Sequence, residues 1–272
     1  MASPIRVAVV GAAGRMGREV LRAVADDEMM TLVAAVDASH VGSPVSELVP
    51  NIQNAGGLTI RAELASELDA SPADVLVDFS HHSAVRDNAL NALKRGCAPV
   101  IGATGLSAET LDAIRDASSK TGVPALFAPN FAVGAVLMMR FSEIAARWYG
   151  DVEIIELHHD RKEDAPSGTA LLTAELIANA RSLPPSMKPT PVVKAEGALG
   201  GRWHGVPVHS VRLPGLLAHQ QVMFGAPGET LTIRHDSTDR AGFMHGVRLA
   251  IREVRSLSGL VIGLDKLLFR HE

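Results

Sequence analysis

The sequence has a single cysteine, Cys97, and few aromatic side chains, which make up 4% of its 272 residues. One cysteine excludes an intramolecular disulfide and any zinc site built from several thiolates. Cys97 follows a predicted helix and opens a predicted strand, so we expect it to pack rather than to react. This cysteine usage is typical of a reducing compartment, and we expect a cytoplasmic protein.

The sequence also has no excess of basic residues, since it contains 26 Lys and Arg and 30 Asp and Glu. The formal net charge of -4 does not indicate a nucleic-acid partner. No apolar run reaches the ~18 residues of a membrane helix, and we expect no secretory leader, because a strand-like run begins within four residues of Met1. With 47% hydrophobic residues the chain can nevertheless bury a substantial core. We therefore expect neither nucleic acid nor membrane as a partner.

The first part of the chain alternates between two patterns. Short β-branched runs are separated by amphipathic helical segments from Ile5 to Phe127. Strands that are buried on both faces and alternate with helices predict an α/β fold with a doubly wound parallel sheet of the Rossmann type. The tail from Gly242 is helical again. We assign 1–129 and 241–272 to this dinucleotide-binding domain.

The pattern changes in the segment 130–240. The strand-like VEIIELHH is followed by the helical TALLTAELIANARS, a proline-containing loop at 183–191 and three further strand-like runs. Glycine and proline turn signals between those runs are typical of hairpins rather than of crossover units. We predict a second, α+β domain with an open, largely antiparallel sheet.

Three glycines directly follow the first predicted strand, in VAVVGAAGRMGREV. Gly11 permits a tight turn, Gly14 lets the backbone approach a pyrophosphate at a helix N-terminus, and Gly17 lets helix and strand pack closely. The spacing is GxxGxxG, one step from the usual GxGxxG. The segment predicts a nicotinamide dinucleotide site, and a plain tight turn before a helix is the alternative.

Asp37 stands 20 residues after Gly17, at the end of the second predicted strand. A carboxylate there can accept hydrogen bonds from the adenosine ribose and would repel a 2′-phosphate. Ala38 follows it, where an arginine could have held that phosphate, whereas Arg15 offers another positive charge. The sequence therefore favours NADH as the cofactor, and NADPH remains an alternative.

The run ELHHDRKEDAPSGTA, at 156–170, sets two histidines and Lys162 at the end of a predicted strand. A neutral imidazole is suited to proton transfer near pH 7. The PSGT that follows predicts a helix capped by Ser167 or Thr169, whose exposed N–H groups would attract a carboxylate. The run therefore predicts reduction of an unsaturated, carboxylate-bearing small molecule. A solvated turn and an ordinary helix cap are the alternative.

These segments, together with IGATG, FAPNFAVG, RLPGLLAHQQVMFG and IRHDSTDRAGFMHGV, resemble the dihydrodipicolinate reductase family of lysine and diaminopimelate biosynthesis. The likeness covers nearly the whole chain, and the HHxxKxDAPSGTA run is its most specific part. It implies a homotetramer in which the second domain supplies both the substrate site and the subunit contacts. The enzyme would use NADH or NADPH to reduce (2S,4S)-4-hydroxy-2,3,4,5-tetrahydrodipicolinate to tetrahydrodipicolinate with loss of water. Family members often carry Glu-Arg where this chain has Asp37-Ala38, which favours NADH here.

The resemblance also implies roles for individual residues. His158 and Lys162 would exchange protons with the substrate. The substrate carboxylates would be held by His159, Ser167, Gly168, Thr169 and Arg240. The cofactor would contact Gly11, Ala12, Ala13, Gly14, Arg15, Met16, Asp37, Gly102, Ala103, Thr104, Ala128, Pro129, Asn130 and Phe131.

No metal is predicted, because the histidines outside this run lack metal-ligand spacing. Two other functions stay open from the residues alone. One is a nicotinamide-dependent dehydrogenase of another carboxylate substrate. The other is a non-catalytic dinucleotide sensor whose second domain serves only for oligomerisation.

Overall fold

The computed structural model describes residues 3–53, 55, 57–186 and 192–270. Residues 187–191 of the predicted proline-containing loop lie outside the described residues. The chain divides into two compact units, Met1–Phe131 with Phe243–Glu272, and Ala132–Gly242. Each boundary falls two residues later in the chain than the sequence pattern predicts.

The strands are numbered along the chain. They are β1 (Ile5–Val10), β2 (Met30–Val36), β3 (Ile60–Arg61), β4 (Val75–Asp78), β5 (Ala98–Ile101), β6 (Ala125–Phe127), β7 (Asp151–His158), β8 (Gly201–Trp203), β9 (Val206–Arg212), β10 (Ala218–Ala226), β11 (Glu229–Ser237) and β12 (Leu260–Ile262).

The helices are numbered in the same way. They are α1 (Arg15–Ala25), α2 (Val45–Leu48), α3 (Leu64–Ala70), α4 (His82–Lys94), α5 (Ala108–Thr121), α6 (Val133–Ala145), α7 (Gly168–Ala180), α8 (Met244–Glu253) and α9 (Asp265–Leu268). Short 3₁₀ turns cover Arg240–Phe243 and Val254–Ser256. Within the described ranges, no helix combines the length and the apolar character that a membrane span requires.

A seven-stranded sheet of order β12-β6-β5-β4-β1-β2-β3 forms the centre of the first unit. Every neighbouring pair in it is parallel. The central strands β4 and β5 are buried along their whole length because helices cover both faces. The strand order reverses between β1 and β4, and ligands of such sheets bind at the carboxyl ends beside that point. The predicted Rossmann-type sheet is confirmed.

The single cysteine lies in this unit. Cys97 is buried within an apolar cluster that includes Leu76 and Ala92. Burial raises the pKa of its thiol to about 12, so the thiolate is not formed near neutral pH.

The second unit carries a five-stranded sheet of order β11-β10-β7-β9-β8. Strands β10 and β11 form the expected hairpin, and β10 also pairs antiparallel with β7. The pairing of β7 with β9 is parallel, and α7 lies between them in the chain. The expectation that β9 and β10 are hairpin neighbours is wrong, because β7 lies between them. Turn residues mark where strands end but not which strand becomes the neighbour.

Candidate active site

The glycine loop leaves β1 and enters α1 through a turn that tolerates no side chain at two positions. Gly11 has φ +74°, and a Cβ on it would lie 2.6 Å from the Phe79 carbonyl carbon. A Cβ on Gly17 would lie 2.0 Å from the Gly11 carbonyl oxygen. The N–H groups of Gly11 and Ala12 donate to the Val36 carbonyl at 3.0 and 3.2 Å. The loop is thereby held close to the end of β2.

The N-terminus of α1 has the features of an anion site. Gly14 is its N-cap residue, no side chain caps it, and its first turn contains no acidic residue. The first N–H groups of a helix have no partner within the helix, and its N-terminal end is positive. Arg15 is exposed beside them. The absence of side chains at the loop glycines leaves the approach that a pyrophosphate needs, so these residues fit a dinucleotide.

The carboxylate of Asp37 faces this loop from the end of β2. It accepts hydrogen bonds from the Ala13 backbone N–H at 3.0 Å and from the Ser39 N–H and hydroxyl at 2.8 and 2.7 Å. Burial raises the pKa of Asp37, but the hydrogen bonds from Ser39 and Ala13 outweigh it and hold that pKa below the usual value. Asp37 is therefore a fixed negative charge beside the glycine loop.

The carboxyl ends of β4, β5 and β6 lie beside each other in the same sheet. The Phe79 and Phe131 rings meet there at 5.7 Å, and a Cβ on Gly102 would collide with the Phe79 ring. Gly102 donates its N–H to the Asp78 carbonyl at 2.8 Å. The two predicted cofactor loops therefore meet at this edge. Of their other residues, Ala103 and Ala128 are buried, Thr104 and Pro129 are exposed, and Asn130 is partly exposed.

Asp78 and Phe79 were not predicted from the sequence. The Asp78 carboxylate is buried, which raises its pKa, and it accepts hydrogen bonds from the Ser80 N–H at 2.8 Å and the Asn88 side chain at 3.0 Å. These bonds hold the turn after β4 against Gly11. The pattern VLVDFS predicts only a buried strand that ends in a polar residue, and it does not indicate these contacts.

In the second unit, one edge of the sheet gathers most of the predicted substrate residues. The carboxyl ends of β7, β9 and β11 all lie there, because the row Ser237, Ala218, His158 and Arg212 runs across the sheet in register. The loop after β7 carries Lys162, and the segment after β11 carries Arg240 at the start of a 3₁₀ turn. Residues far apart in sequence thus leave the sheet from the same edge.

His158 is bonded to a carboxylate that the sequence pattern did not single out. Its Nδ1 contacts Glu156 Oε2, and the Glu156 side chain is fully buried on the same face of β7. Arg212 donates from Nη1 and Nη2 to the two oxygens of Glu156 at 3.1 and 2.9 Å. Glu156 stands two residues before His158 in a predicted strand, so their shared face was readable from the sequence. The contact between Arg212 and Glu156 could not be predicted from the sequence, since it depends on the pairing of β7 with β9.

The loop between β7 and α7 is ordered by its own charges. Lys162 Nζ donates to Asp164 Oδ1 at 2.7 Å, and this bond lowers the pKa of Asp164. The Lys162 backbone N–H donates to the His159 carbonyl at 3.2 Å. The buried Nδ1 of His159 has no hydrogen-bond partner within the part of the chain that the structure describes.

Ser167 is the N-cap of α7, and its hydroxyl accepts the Ala170 N–H at 3.2 Å. The N–H groups of Gly168 and Thr169 precede that bond in the first helical turn, where a helix offers them no partner. A Cβ on Gly168 would meet open space. Two backbone donors at the start of α7 can therefore bind an anion. Among the described residues, no group of three or more His, Cys, Asp or Glu side chains is placed to hold a metal.

The matching family models and the similar proteins all point to one family. The chain matches the models described as dihydrodipicolinate reductase, N-terminus, over residues 5–131, and dihydrodipicolinate reductase, C-terminus, over residues 134–268. The 4-hydroxy-tetrahydrodipicolinate reductase of Moorella thermoacetica is 48% identical, over 98% of this chain and 99% of that protein. The Bacillus anthracis reductase of the same name is 46% identical, over 97% and 98%.

The solved structures include a dipicolinate-bound dihydrodipicolinate reductase from Paenisporosarcina. It is 42% identical to this chain, superposes with a TM-score of 0.86, and covers 97% of this chain and 99% of its own. An amine dehydrogenase from Mycobacterium smegmatis, 14% identical with a TM-score of 0.65, shares the fold alone. Both domains and nearly the full length are thus accounted for, and the chain belongs to the dihydrodipicolinate reductase family.

Proposed function

We propose that this protein catalyses the NAD(P)H-dependent reduction of 4-hydroxy-tetrahydrodipicolinate to tetrahydrodipicolinate, with loss of water, in lysine and diaminopimelate biosynthesis. The observation that carries the proposal is 42% identity over 97% of the chain with a reductase solved with dipicolinate, a cyclic dicarboxylate. The sheet edge with His158 and Lys162 carries groups that can bind carboxylates and transfer protons.

The substrate carboxylates are bound by groups on this edge. The N–H groups of Gly168 and Thr169 donate at the positive end of α7, and the Lys162 ammonium adds a full charge. His159 and Arg240 act as further donors, and Ser167 holds the first turn of α7 in shape through its capping bond. Binding both carboxylates fixes the orientation of the substrate ring. The bound substrate then loses less entropy on reaching the transition state.

The cofactor is bound by the first unit. The N-terminus of α1 and the backbone of Gly11 to Met16 hold the pyrophosphate, and Asp37 accepts hydrogen bonds from the adenosine ribose. The loops at 102–104 and 128–131 border the nicotinamide end. The reduced nicotinamide supplies a hydride when it is bound. NADH is favoured over NADPH, because a 2′-phosphate would lie against the ionised Asp37.

Proton transfer is the task of His158 and Lys162. The overall reaction adds a hydride and a proton to the substrate and releases its hydroxyl group as water. Both side chains can carry the proton that balances the hydride, and imidazole is the side chain most often used for such transfers. Lys162 is already ion-paired with Asp164 at 2.7 Å, which keeps its ammonium in place at this edge.

The protein acts as a homotetramer in the cytoplasm. Self-association is supported by apolar exposure, since 12 of the 15 exposed large hydrophobic side chains among the described residues lie in the second unit. Trp148 is 75% exposed and Leu213 is 54% exposed there. Large exposed apolar surfaces mark protein contacts. Sedimentation at several protein concentrations tests this assembly, and a monomer at all of them would contradict it.

The activity is tested by coupling. A synthase that condenses pyruvate with aspartate semialdehyde supplies the substrate, and the absorbance of NADH or NADPH is followed after this protein is added. Oxidation that requires both the synthase and this protein is the expected result. If NADH binds but is not oxidised, the protein acts on another carboxylate substrate or serves as a dinucleotide sensor.

A further inference from the structure

We infer that Glu156 and Arg212 are positioning residues that hold His158 in the tautomer protonated at Nδ1, which leaves Nε2 to exchange the proton with substrate. The inference rests on the proposed function for its catalytic meaning. The tautomer itself is a property of the protein and can be measured without any substrate.

The protonation state of Glu156 decides the tautomer. Burial raises the pKa of Glu156, but hydrogen bonds from His158, Arg212 and Ser210 outweigh it and bring that pKa to about 2. The carboxylate is therefore ionised near neutral pH, and an ionised carboxylate can only accept hydrogen bonds. Since Nδ1 of His158 contacts this carboxylate, Nδ1 must be the nitrogen that carries the proton.

Arg212 fixes the orientation of the carboxylate. It binds both oxygens of Glu156, at 2.9 and 3.1 Å, in a two-pronged pair that leaves little rotational freedom. Strand pairing places Arg212 directly opposite His158 on β9. The carboxylate is thus held from one side by the guanidinium and holds the imidazole on the other.

The same guanidinium reaches the loop that carries Lys162. Arg212 Nη2 donates to the Asp164 carbonyl at 2.7 Å, and Asp164 is the residue whose carboxylate binds Lys162. One side chain therefore couples the strand that bears His158 to the loop that bears the second proton-transfer residue.

A purely structural role does not explain the choice of charged residues. Well-packed apolar residues of similar volume often replace a buried ion pair without loss of stability, so stability alone does not require one. A carboxylate that orients a histidine at Nδ1 is, by contrast, a recurrent device for setting the tautomer of a proton-transfer imidazole.

The sheet also provides a matched control on its other face. Glu153 lies on β7 as well, and its Oε2 bonds to Nε2 of His209 on β9 at 2.9 Å. This pair has the same residue types, although His209 is on β9 whereas His158 is on β7 with its glutamate. It differs in lying three residues away from Glu156, which places it on the opposite face.

The first experiment reads the tautomer in the wild-type protein by ¹⁵N NMR of labelled histidine. The His158 signals are assigned from their loss in His158→Gln. In the neutral ring, Nδ1 is expected to be protonated and Nε2 unprotonated, and this measurement needs neither substrate nor a folded Glu156 variant. A His158 protonated at Nε2 alone would overturn the inference.

The second experiment compares variants. Glu156→Gln is expected to change the His158 tautomer signals and to lower kcat by about 10–100-fold, the range seen when a carboxylate partner of a functional histidine is removed. Glu153→Gln is expected to leave both unchanged. In the His158→Gln background, Glu156→Gln is expected to add less than about a twofold loss, because residues that act as a unit are non-additive.

Equal kcat losses from Glu156→Gln with and without His158 would overturn the inference, since Glu156 would then act independently of the imidazole. These outcomes are separable from failure of the proposed function. A wild-type protein that oxidises neither cofactor refutes the reductase proposal, whereas the NMR tautomer still tests the positioning by Glu156.

Discussion

The Ala13 backbone N–H donates to the Asp37 carboxylate at 3.0 Å. This bond joins the glycine loop to the end of β2 through the carboxylate that is expected to bind the ribose. Ser39 occupies the other oxygen with two hydrogen bonds. The carboxylate is pre-oriented before a cofactor arrives, and Oδ2, which accepts the Ala13 N–H, has a further lone pair for a ribose hydroxyl.

Replacing Asp37 with Ala is expected to weaken NADH binding by about tenfold or more, because charged hydrogen bonds to the ribose are lost. NADPH binding is expected to fall less, since the repulsion of its 2′-phosphate is removed as well. Calorimetric titration with both cofactors measures this. Ser39→Ala keeps the carboxylate and serves as the control, with a smaller effect that is similar for the two cofactors. Equal losses in Asp37→Ala would refute the ribose assignment.

His158→Gln is expected to reduce turnover by about 100-fold or more, the usual contribution of a general acid or base. Its NADH affinity is expected to stay within about twofold of the wild type, because His158 is in the second unit and the glycine loop is in the first. The coupled assay and a cofactor titration give the two values. His209→Gln, on the other face of the same sheet, is the matched control. Unchanged turnover in His158→Gln would show that the proposed proton transfer is wrong.

Lys162→Met is expected to raise KM and to lower kcat, each by about tenfold, because a charged donor to the carboxylate and a proton-transfer group are removed together. Steady-state kinetics in the coupled assay separate the two effects. Lys266 is paired with Asp265 at 3.4 Å in the first unit, so Lys266→Met is a control for loss of a surface Lys–Asp pair. If Lys162→Met keeps both wild-type constants, Lys162 has neither role.

The features that the sequence predicted well are those encoded locally. The glycine loop, Asp37 and the cap at Ser167 each depend on neighbouring residues, and a parallel sheet follows from buried runs that alternate with helices. Gly17 illustrates the limit of this local information. The glycine spacing predicts close packing, but only the folded turn shows that a Cβ there would lie 2.0 Å from the Gly11 carbonyl oxygen.

The features that it did not predict depend on pairing between distant segments. Arg212 is 56 residues from Glu156, and only the parallel register of β7 and β9 brings them together. The hairpin pattern favoured β9 beside β10, so the partner of Glu156 could not be identified. A buried carboxylate in a strand does predict that some cationic partner exists, although not which one.

Acid stability provides a test of the Glu156 environment. The pKa of this carboxyl falls from its ordinary value of 4.5 to about 2 in the folded protein. Between these values the unfolded chain binds more protons than the folded protein, so folding stability decreases as pH falls. The stabilisation is fully present above about pH 5 and is on the order of 3 kcal/mol.

Glu156→Gln removes the titrating group and also leaves Arg212 without its carboxylate partner. The variant is therefore expected to be less stable than the wild type near neutral pH, by a few kcal/mol. This difference in free energy of unfolding should narrow by roughly 2 kcal/mol between about pH 6 and pH 3, as the wild type loses its Glu156 contribution. Urea unfolding of both proteins across that range measures it. His158→Gln removes the His158 hydrogen bond but keeps those from Arg212 and Ser210, so its stability should still decline as pH falls, by less than in the wild type. A difference between wild type and Glu156→Gln that stays constant with pH would mean that Glu156 is not the strongly acidic, ion-paired group that its contacts indicate.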